Sequence, residues 1–144
     1  MERVNVKLPA VFSFAVNITI RITDLNYGWH VGNDTFLSLM QEARQQFLNK
    51  HGYGELSFAG YSLMLADASI EYKRELKYGD IVKISVASGG FDKYGFDLYY
   101  KMEIITGTEN VLACKAKTGM LCYDTKNRKL LSVPDEAIQR LLQH

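Results

Sequence analysis

The sequence predicts an α+β fold in which one curved antiparallel sheet wraps a single long helix, with a short helix near the C-terminal end. Three observations predict it: an alternating apolar segment early in the chain, one long stretch of helical periodicity after it, and four long segments of period two downstream. One helix and one sheet hide their apolar faces from water only by packing on each other, so the sheet must curve around the helix.

The first strand is read over residues 12–22. Phe12, Phe14, Val16, Ile18, Ile20 and Ile22 are apolar, while Ser13, Ala15, Asn17, Thr19 and Arg21 intervene, the pattern of a half-buried strand. The connection "TDLNYGWHVGNDTF" follows. Phe36, Met40, Ala43 and Phe47 then repeat at helical spacing, and Leu37, Leu39 and Leu48 widen the stripe. Asn33 or Asp34 supplies an N-cap and Gly52 a stop, so the helix is expected over about residues 33–51 and largely wrapped by other structure.

The segments "YSLMLADASIEYKREL", "DIVKISVA", "YGFDLYYKMEIIT" and "ENVLACKAKTGMLCYD" give four more strands. Turns at "KYGD", "SGGFDK" and "GTEN" join them, so they are expected to be adjacent and antiparallel, completing a five-stranded sheet. In the third of these, Phe96, Leu98, Tyr100, Met102 and Ile104 form the apolar face and Asp97, Lys101 and Glu103 the other. "PDEAIQRLLQ" from Pro134 makes the short terminal helix. With no internal repeat, linker or low-complexity segment, residues 1–144 are read as one domain.

Composition narrows the function. A chain of 144 residues with 47% hydrophobic content supports one sizeable core. Its 17 Lys+Arg and 16 Asp+Glu leave a net charge of +1, so neither nucleic acid nor an anionic membrane is an expected partner, and any anion site must be local. "LPAVFSFAV" lacks a small-x-small cleavage pattern and runs into the strand alternation, so it is not read as a signal peptide, and no stretch approaches membrane-span length. Cys114 and Cys122 fall in one strand, where strand rise separates them by roughly 26 Å, too far to bridge. The "NIT" at Asn17 sits mid-strand and is read as a chance sequon. The cytoplasm is the default compartment. The histidines His30, His51 and His144 and the two cysteines show no metal-ligand spacing, and there is no glycine-rich phosphate loop, so no metal or cofactor is expected.

The run "DLNYGWHVGN", with "QEAR" at residues 41–44, resembles the D-x-D-x-x-G-H-V-x-N and E-A-R words of the hotdog-fold acyl-thioester hydrolases related to 4-hydroxybenzoyl-CoA thioesterase. "ASIEYKRELKYGDIVKISV" resembles the same family's long strand, basic turn, Gly-Asp and next strand, and the resemblance covers about residues 18–124. It implies a hotdog fold and hydrolysis of an acyl-CoA or acyl-carrier-protein thioester to acid and thiol. It also implies self-association as a homodimer or homotetramer joined through sheet edges.

The motif departs from the family at two positions. Counting back four from His30, the family's catalytic aspartate falls on Asn26, while Asp24 retains the other acidic position. Trp29 stands where glycine is usual, with Gly28 one place earlier. Thioester hydrolysis needs a nucleophile or activated water, a polarised carbonyl and a thiolate leaving group. By resemblance, the backbone N–H groups around Gly32, Asn33 and Asp34 at the helix start would hold the oxyanion, where unpaired donors and the helix dipole favour negative charge. Asn26 can orient a water or donate to the carbonyl, but a neutral amide does not accept a proton.

Each remaining candidate has a bland alternative. Asp24 is a substitute base or a turn cap; Glu42 is a base on the central helix or a salt-bridge partner, the helical register of another hotdog branch landing on Gln41. His30 contacts substrate or is simply packed. Asp67 faces the cleft or makes an interface hydrogen bond. Lys73, Arg74 and Lys77 hold the phosphates of coenzyme A or form a solvated turn. Phe58, Tyr61, Phe91 and Tyr94 line an acyl tunnel or belong to the core. Two other functions fit the motif: a hotdog enoyl-CoA hydratase with Asp24 and His30 as its acid/base pair, and a non-catalytic acyl-thioester-binding module that has lost its base.

Overall fold

The computed structural model describes residues 1–143, so His144 lies outside the described residues. β1 (Phe14–Thr19) leads through a 3₁₀ turn (Ile22–Asp24) to α1 (Thr35–Lys50). The chain continues through β2 (Ser62–Tyr72), β3 (Ile81–Gly89), β4 (Gly95–Ile105), β5 (Asn110–Asp124), β6 (Lys129–Leu130) and α2 (Asp135–Leu141). All pairs are antiparallel and the strands lie in the order β1-β3-β4-β5-β2, with the short β6 added on β5. The expected five strands are therefore present, and a two-residue sixth joins them.

One expectation is corrected. β2 and β3 are consecutive but do not pair; β2 lies against β5, at the opposite sheet edge from β1. The reason is that residues 73–80 form a crossing segment rather than a tight hairpin. The N–H groups of Lys73 and Arg74 both donate to the Ala113 carbonyl, and Leu76 is buried with its carbonyl accepting the Val31 N–H at 2.9 Å. At its far end the Ile20 N–H donates to the Asp80 carbonyl and the Gly79 N–H to the Ile20 carbonyl. The crossing carries the end of β2 beside the loop that precedes α1.

The core fills the concave side of the sheet. Phe36, Leu39, Met40, Ala43, Phe47 and Leu48 of α1 pack with Val82, Ile84 and Val86 of β3 and with Phe96, Leu98, Tyr100 and Met102 of β4, all buried. Each large apolar side chain so buried contributes about 1.5–3 kcal/mol. α1 starts two residues later than predicted and stops where expected, at Gly52 in a left-handed conformation (φ 83°). Its stripe is narrower than predicted because Leu37 faces outward with Ser38, Gln41 and Glu42.

Arg44 is the charged side chain of α1 that enters this core. Its Nε lies 2.5 Å from Glu55 Oε1 and its Nη1 donates to Tyr100 Oη at 3.2 Å, while Tyr100 Oη and Thr118 Oγ1 share a hydrogen bond of 2.8 Å. Burial works against the guanidinium charge, but Tyr100 and Glu55 outweigh it and raise its pKa. Cys114 and Cys122 are free and buried, and burial, with the nearby Glu71 charge second, pushes the Cys114 thiol up to about 12. Among the described residues no helix is long and apolar enough to cross a membrane.

Candidate functional site

The loop between β1 and α1 is folded by its own polar groups. Asp24 Oδ2 accepts the Arg21 N–H at 2.8 Å, and its Oδ1 lies 3.3 Å from the Arg21 guanidinium. The carboxylate thereby closes the 3₁₀ turn and is buried. Beyond it, Leu25 and Val31 pair as an antiparallel bridge. The Asn26 N–H donates to the His30 carbonyl (2.9 Å), the Trp29 N–H to the Asn26 carbonyl (3.0 Å), and the Gly28 N–H to Asn26 Oδ1 (2.8 Å). Trp29 takes φ 64°, the left-handed conformation open to glycine without penalty, at a cost of about 1 kcal/mol or more. The turn thus has a glycine-like backbone at this position, with the indole exposed.

The two glycines of this segment mark where side chains converge. A β-carbon on Gly28 would lie 3.1 Å from His30 Nε2 and 3.2 Å from Asn26 Oδ1. A β-carbon on Gly32 would lie 2.6 Å from Asp34 Oδ1 and 3.6 Å from both Asn26 Nδ2 and Thr35 Oγ1. The Asn26 carboxamide therefore spans the loop, its oxygen held by Gly28 and its nitrogen facing the helix start. Asp34 occupies the N-cap position with helical backbone angles (φ −71°, ψ −33°), and its side chain makes no capping hydrogen bond. Among the described residues the N–H groups of Asn33 and Asp34 have no acceptor within the protein, whereas Gly32 flanks the Leu25–Val31 bridge and its N–H faces the Asp24 carbonyl. Unpaired donors at a helix start are the arrangement that receives a developing oxyanion.

Beside this helix start lies a cleft of about 270 Å³, lined by His30, Asn33, Phe36, Tyr72, Lys73 and Arg74 among others. Tyr72 fixes its wall by donating to the Asn33 carbonyl at 2.8 Å and packing edge-to-face on Phe36, ring centroids 5.1 Å apart. Burial first, then the Cys114 and Asp34 charges, raise the phenol's pKa. His30 Nε2 stands 3.8 Å from Glu75 Oε1, and Lys73 Nζ is 3.2 Å from Glu71 Oε1.

The other predicted residues lie elsewhere. Asp24 and Glu42 line a separate cleft of about 490 Å³ with Arg21, Ser38 and Leu39 on the β1 side of α1, and Glu42 accepts the Gln46 amide at 2.8 Å. Asp67 sits at a bulge in β2, where it accepts Lys117 Nζ (2.8 Å) and the Gly119 N–H (3.0 Å); the lysine is the main reason its pKa is lowered. Lys77 belongs to the turn its N–H closes onto Asp80 Oδ2. Phe58 is core, packed on Tyr53 and Phe96, and Phe91 stacks on Phe96, whereas Tyr61 and Tyr94 are exposed.

Tyr72, which lines the cleft, and the side chains of Asp34 and Thr35 beside it at the helix start are not singled out by the sequence. Asp34 is legible there as a cap and as a backbone donor, and nothing local distinguishes a capping aspartate side chain from an idle one. Thr35 and Tyr72 gained their places from the helix start and the chain crossing, which no spacing in the sequence announces.

Comparison with known proteins gives this geometry a context. A 1,4-dihydroxy-2-naphthoyl-CoA hydrolase of Nostoc punctiforme is 25% identical over 132 residues, 90% of this chain and 86% of that protein. The crystal structure of a 1,4-dihydroxy-2-naphthoyl-CoA thioesterase from Synechocystis has a TM-score of 0.77 at 20% identity, covering 89% of this chain and 94% of that one. An aspartate-to-asparagine mutant of 4-hydroxybenzoyl-CoA thioesterase, complexed with 4-hydroxybenzoyl-CoA, has a TM-score of 0.81 at 14% identity, covering 89% and 97%. These structural likenesses carry the hotdog fold. The sequence model of the thioesterase-like superfamily matches residues 20–141, from the residue after β1 through the last residue of α2, and the protein belongs to that superfamily.

Proposed function

We propose that the protein hydrolyses an acyl-CoA or acyl-carrier-protein thioester to a free acid and a thiol. One observation carries the reading: the unpaired N–H groups of Asn33 and Asp34 begin α1 beside a cleft that also holds Lys73 and Arg74. The thioester oxygen takes those N–H donors, and Gly32 lets the substrate approach the backbone closely. Lys73 and Arg74 take phosphate oxygens of the carrier. The relatives named for acyl-CoA hydrolysis support the same substrate class.

A second reading is favoured by a specific feature, the commitment of Asn26 Oδ1 to the Gly28 N–H, which leaves the amide as a donor only. A site of that kind binds thioesters without turning them over. The hydratase reading finds no such support, because Asp24 is closed onto Arg21 and lines a different cleft from His30. The free outer edge of β2, eleven residues long with Met64 and Leu65 exposed, suits edge-to-edge pairing with a second copy of the chain, giving a homodimer and, by further packing, a homotetramer.

The test is hydrolysis of a panel of acyl-CoA lengths and aromatic acyl-CoAs with free thiol as readout, beside a crotonyl-CoA hydration assay. Thiol release is the expected result. Saturable binding without release supports the binding module, and loss of the enoyl absorbance without thiol supports the hydratase.

A further inference from the structure

We propose that Asp34 is the general base of this site and that Asn26 positions the water it activates. The inference rests on the hydrolase reading and names the proton acceptor that Asn26, as an amide, does not supply. Asp34 stands where a carboxylate ordinarily caps its helix, yet it makes no capping hydrogen bond. Its Oδ1 instead lies over Gly32, around the same point as Asn26 Nδ2 and Thr35 Oγ1, all within 3.6 Å of where a β-carbon would sit. With no side chain on Gly32 nothing separates the donor amide, the hydroxyl and the carboxylate; among the described residues they make no hydrogen bond to one another, and a water between Asn26 Nδ2 and Asp34 Oδ1 would find a partner on each side. The orientation of Asn26 is fixed, since Gly28 N–H holds its oxygen and leaves its nitrogen to donate to the water oxygen.

The other acids are less well placed. Asp24 is buried under Arg21, and Glu42 is on the opposite flank of α1. Glu75 lines the cleft but faces His30 at 3.8 Å, which makes a His30–Glu75 pair the main rival.

In the reaction, Asp34 takes one proton from the water as the water oxygen bonds to the thioester carbonyl carbon. The carbonyl electron pair moves onto its oxygen, which the N–H groups of Asn33 and Asp34 receive. Collapse of this intermediate restores the carbonyl and breaks the carbon–sulfur bond. The proton then passes from Asp34 to the departing sulfur, so water and thioester become acid and thiol and the carboxylate is regenerated.

The experiment compares the full chain with its Asp34→Asn, Asp34→Glu and His30→Gln variants on the best thioester of the panel. A nonhydrolysable thioether analogue of coenzyme A measures binding. Because Asp34 caps nothing, Asp34→Asn should melt where the wild type does and bind the analogue equally well. Its kcat should fall by ~10²- to 10⁴-fold with KM changed less than about threefold. The acid limb of the pH–rate profile should vanish in Asp34→Asn and reappear, with part of the rate, in Asp34→Glu. A folded Asp34→Asn variant that keeps its kcat, or an acid limb that survives it and disappears in His30→Gln, overturns the assignment while leaving the hydrolase reading intact. Wild-type protein that binds the analogue and releases no thiol from any substrate overturns the hydrolase reading, and the base assignment with it.

Discussion

Replacing Arg44 by methionine tests how α1 is held to the sheet. The substitution keeps most of the side-chain volume and removes a guanidinium whose side chain is only 6% exposed. It deletes the charge-assisted bond to Glu55, of the kind that contributes about 1.5–3 kcal/mol, and the bond to Tyr100 Oη, about 0.5–1.5 kcal/mol. Two features limit the damage. Tyr100 retains Thr118, and the Glu55 side chain, 23% exposed, can turn toward water instead of remaining an uncompensated buried charge. Methionine also restores some apolar contact. The net loss should be about 2–3 kcal/mol, or a fall in Tm of roughly 5–10 °C for a chain of this length.

Equilibrium urea denaturation of Arg44→Met, Glu55→Gln and the double variant measures both the loss and the coupling. The double variant should be less destabilised than the sum of the singles by about 1–2 kcal/mol, because each single change already removes the bond that the two side chains share. A loss below about 0.5 kcal/mol for Arg44→Met, or strict additivity, would refute the idea that this pair anchors the helix. Below the transition kcat and KM should hold, since the cleft residues lie two turns earlier.

Asn26→Asp keeps the acceptor that the Gly28 N–H requires but puts a second carboxylate near Asp34 in place of the water's donor, so kcat for thioester hydrolysis should fall by roughly tenfold; a folded variant whose kcat is unchanged or higher counts against Asn26 as the group that positions the water. Lys73→Ala together with Arg74→Ala should raise KM for an acyl-CoA by about tenfold and flatten its salt dependence with kcat unchanged, whereas Lys77→Ala should change neither. Among the described residues the buried His51 Nε2 has no partner, and burial first, then Lys50, hold its pKa below the ordinary histidine value of 6.5. The unfolded chain then takes up the proton first, so stability is full above that value and declines as the pH falls through the lowered one. Melting curves between pH 8 and 5 (a range of about three units around the ordinary histidine pKa) should show this decline in the wild type and a flatter profile in His51→Phe.

What was legible in the sequence was what local period and punctuation encode. The alternation before residue 20 and the stripe from Phe36 to Phe47 predict their elements because each residue's environment is set by neighbours two to four positions away. Placement of β2 beside β5 was not legible, since it depends on Leu76 and Ala113 meeting residues far off in the chain. The same limit separated the predicted acids. Asp24 and Asn26 share a side only if their segment is extended, and the 3₁₀ turn at Ile22–Asp24 breaks that alternation, turning Asp24 toward Arg21. Lys73 and Arg74 reached the cleft because the crossing segment passes it, while Lys77, three residues on, had already left.

The two motif departures are also connected through the turn. An aspartate and an asparagine at position 26 offer the same acceptor to the Gly28 N–H, so the loop closes with either, and the backbone bonds from Asn26 and Trp29 close it further. Three such bonds, each of about 0.5–1.5 kcal/mol, are together large enough to offset the strain of a left-handed tryptophan, about 1–3 kcal/mol. The turn therefore does not need glycine at position 29. What the amide changes is the atom aimed at the helix start, a donor in place of a charged oxygen. A donor there would leave a water unactivated unless a carboxylate stood across from it, and Asp34 is the group that stands there. Read in space rather than along the motif, the negative charge expected at position 26 has a counterpart at position 34, on the other side of the same glycine.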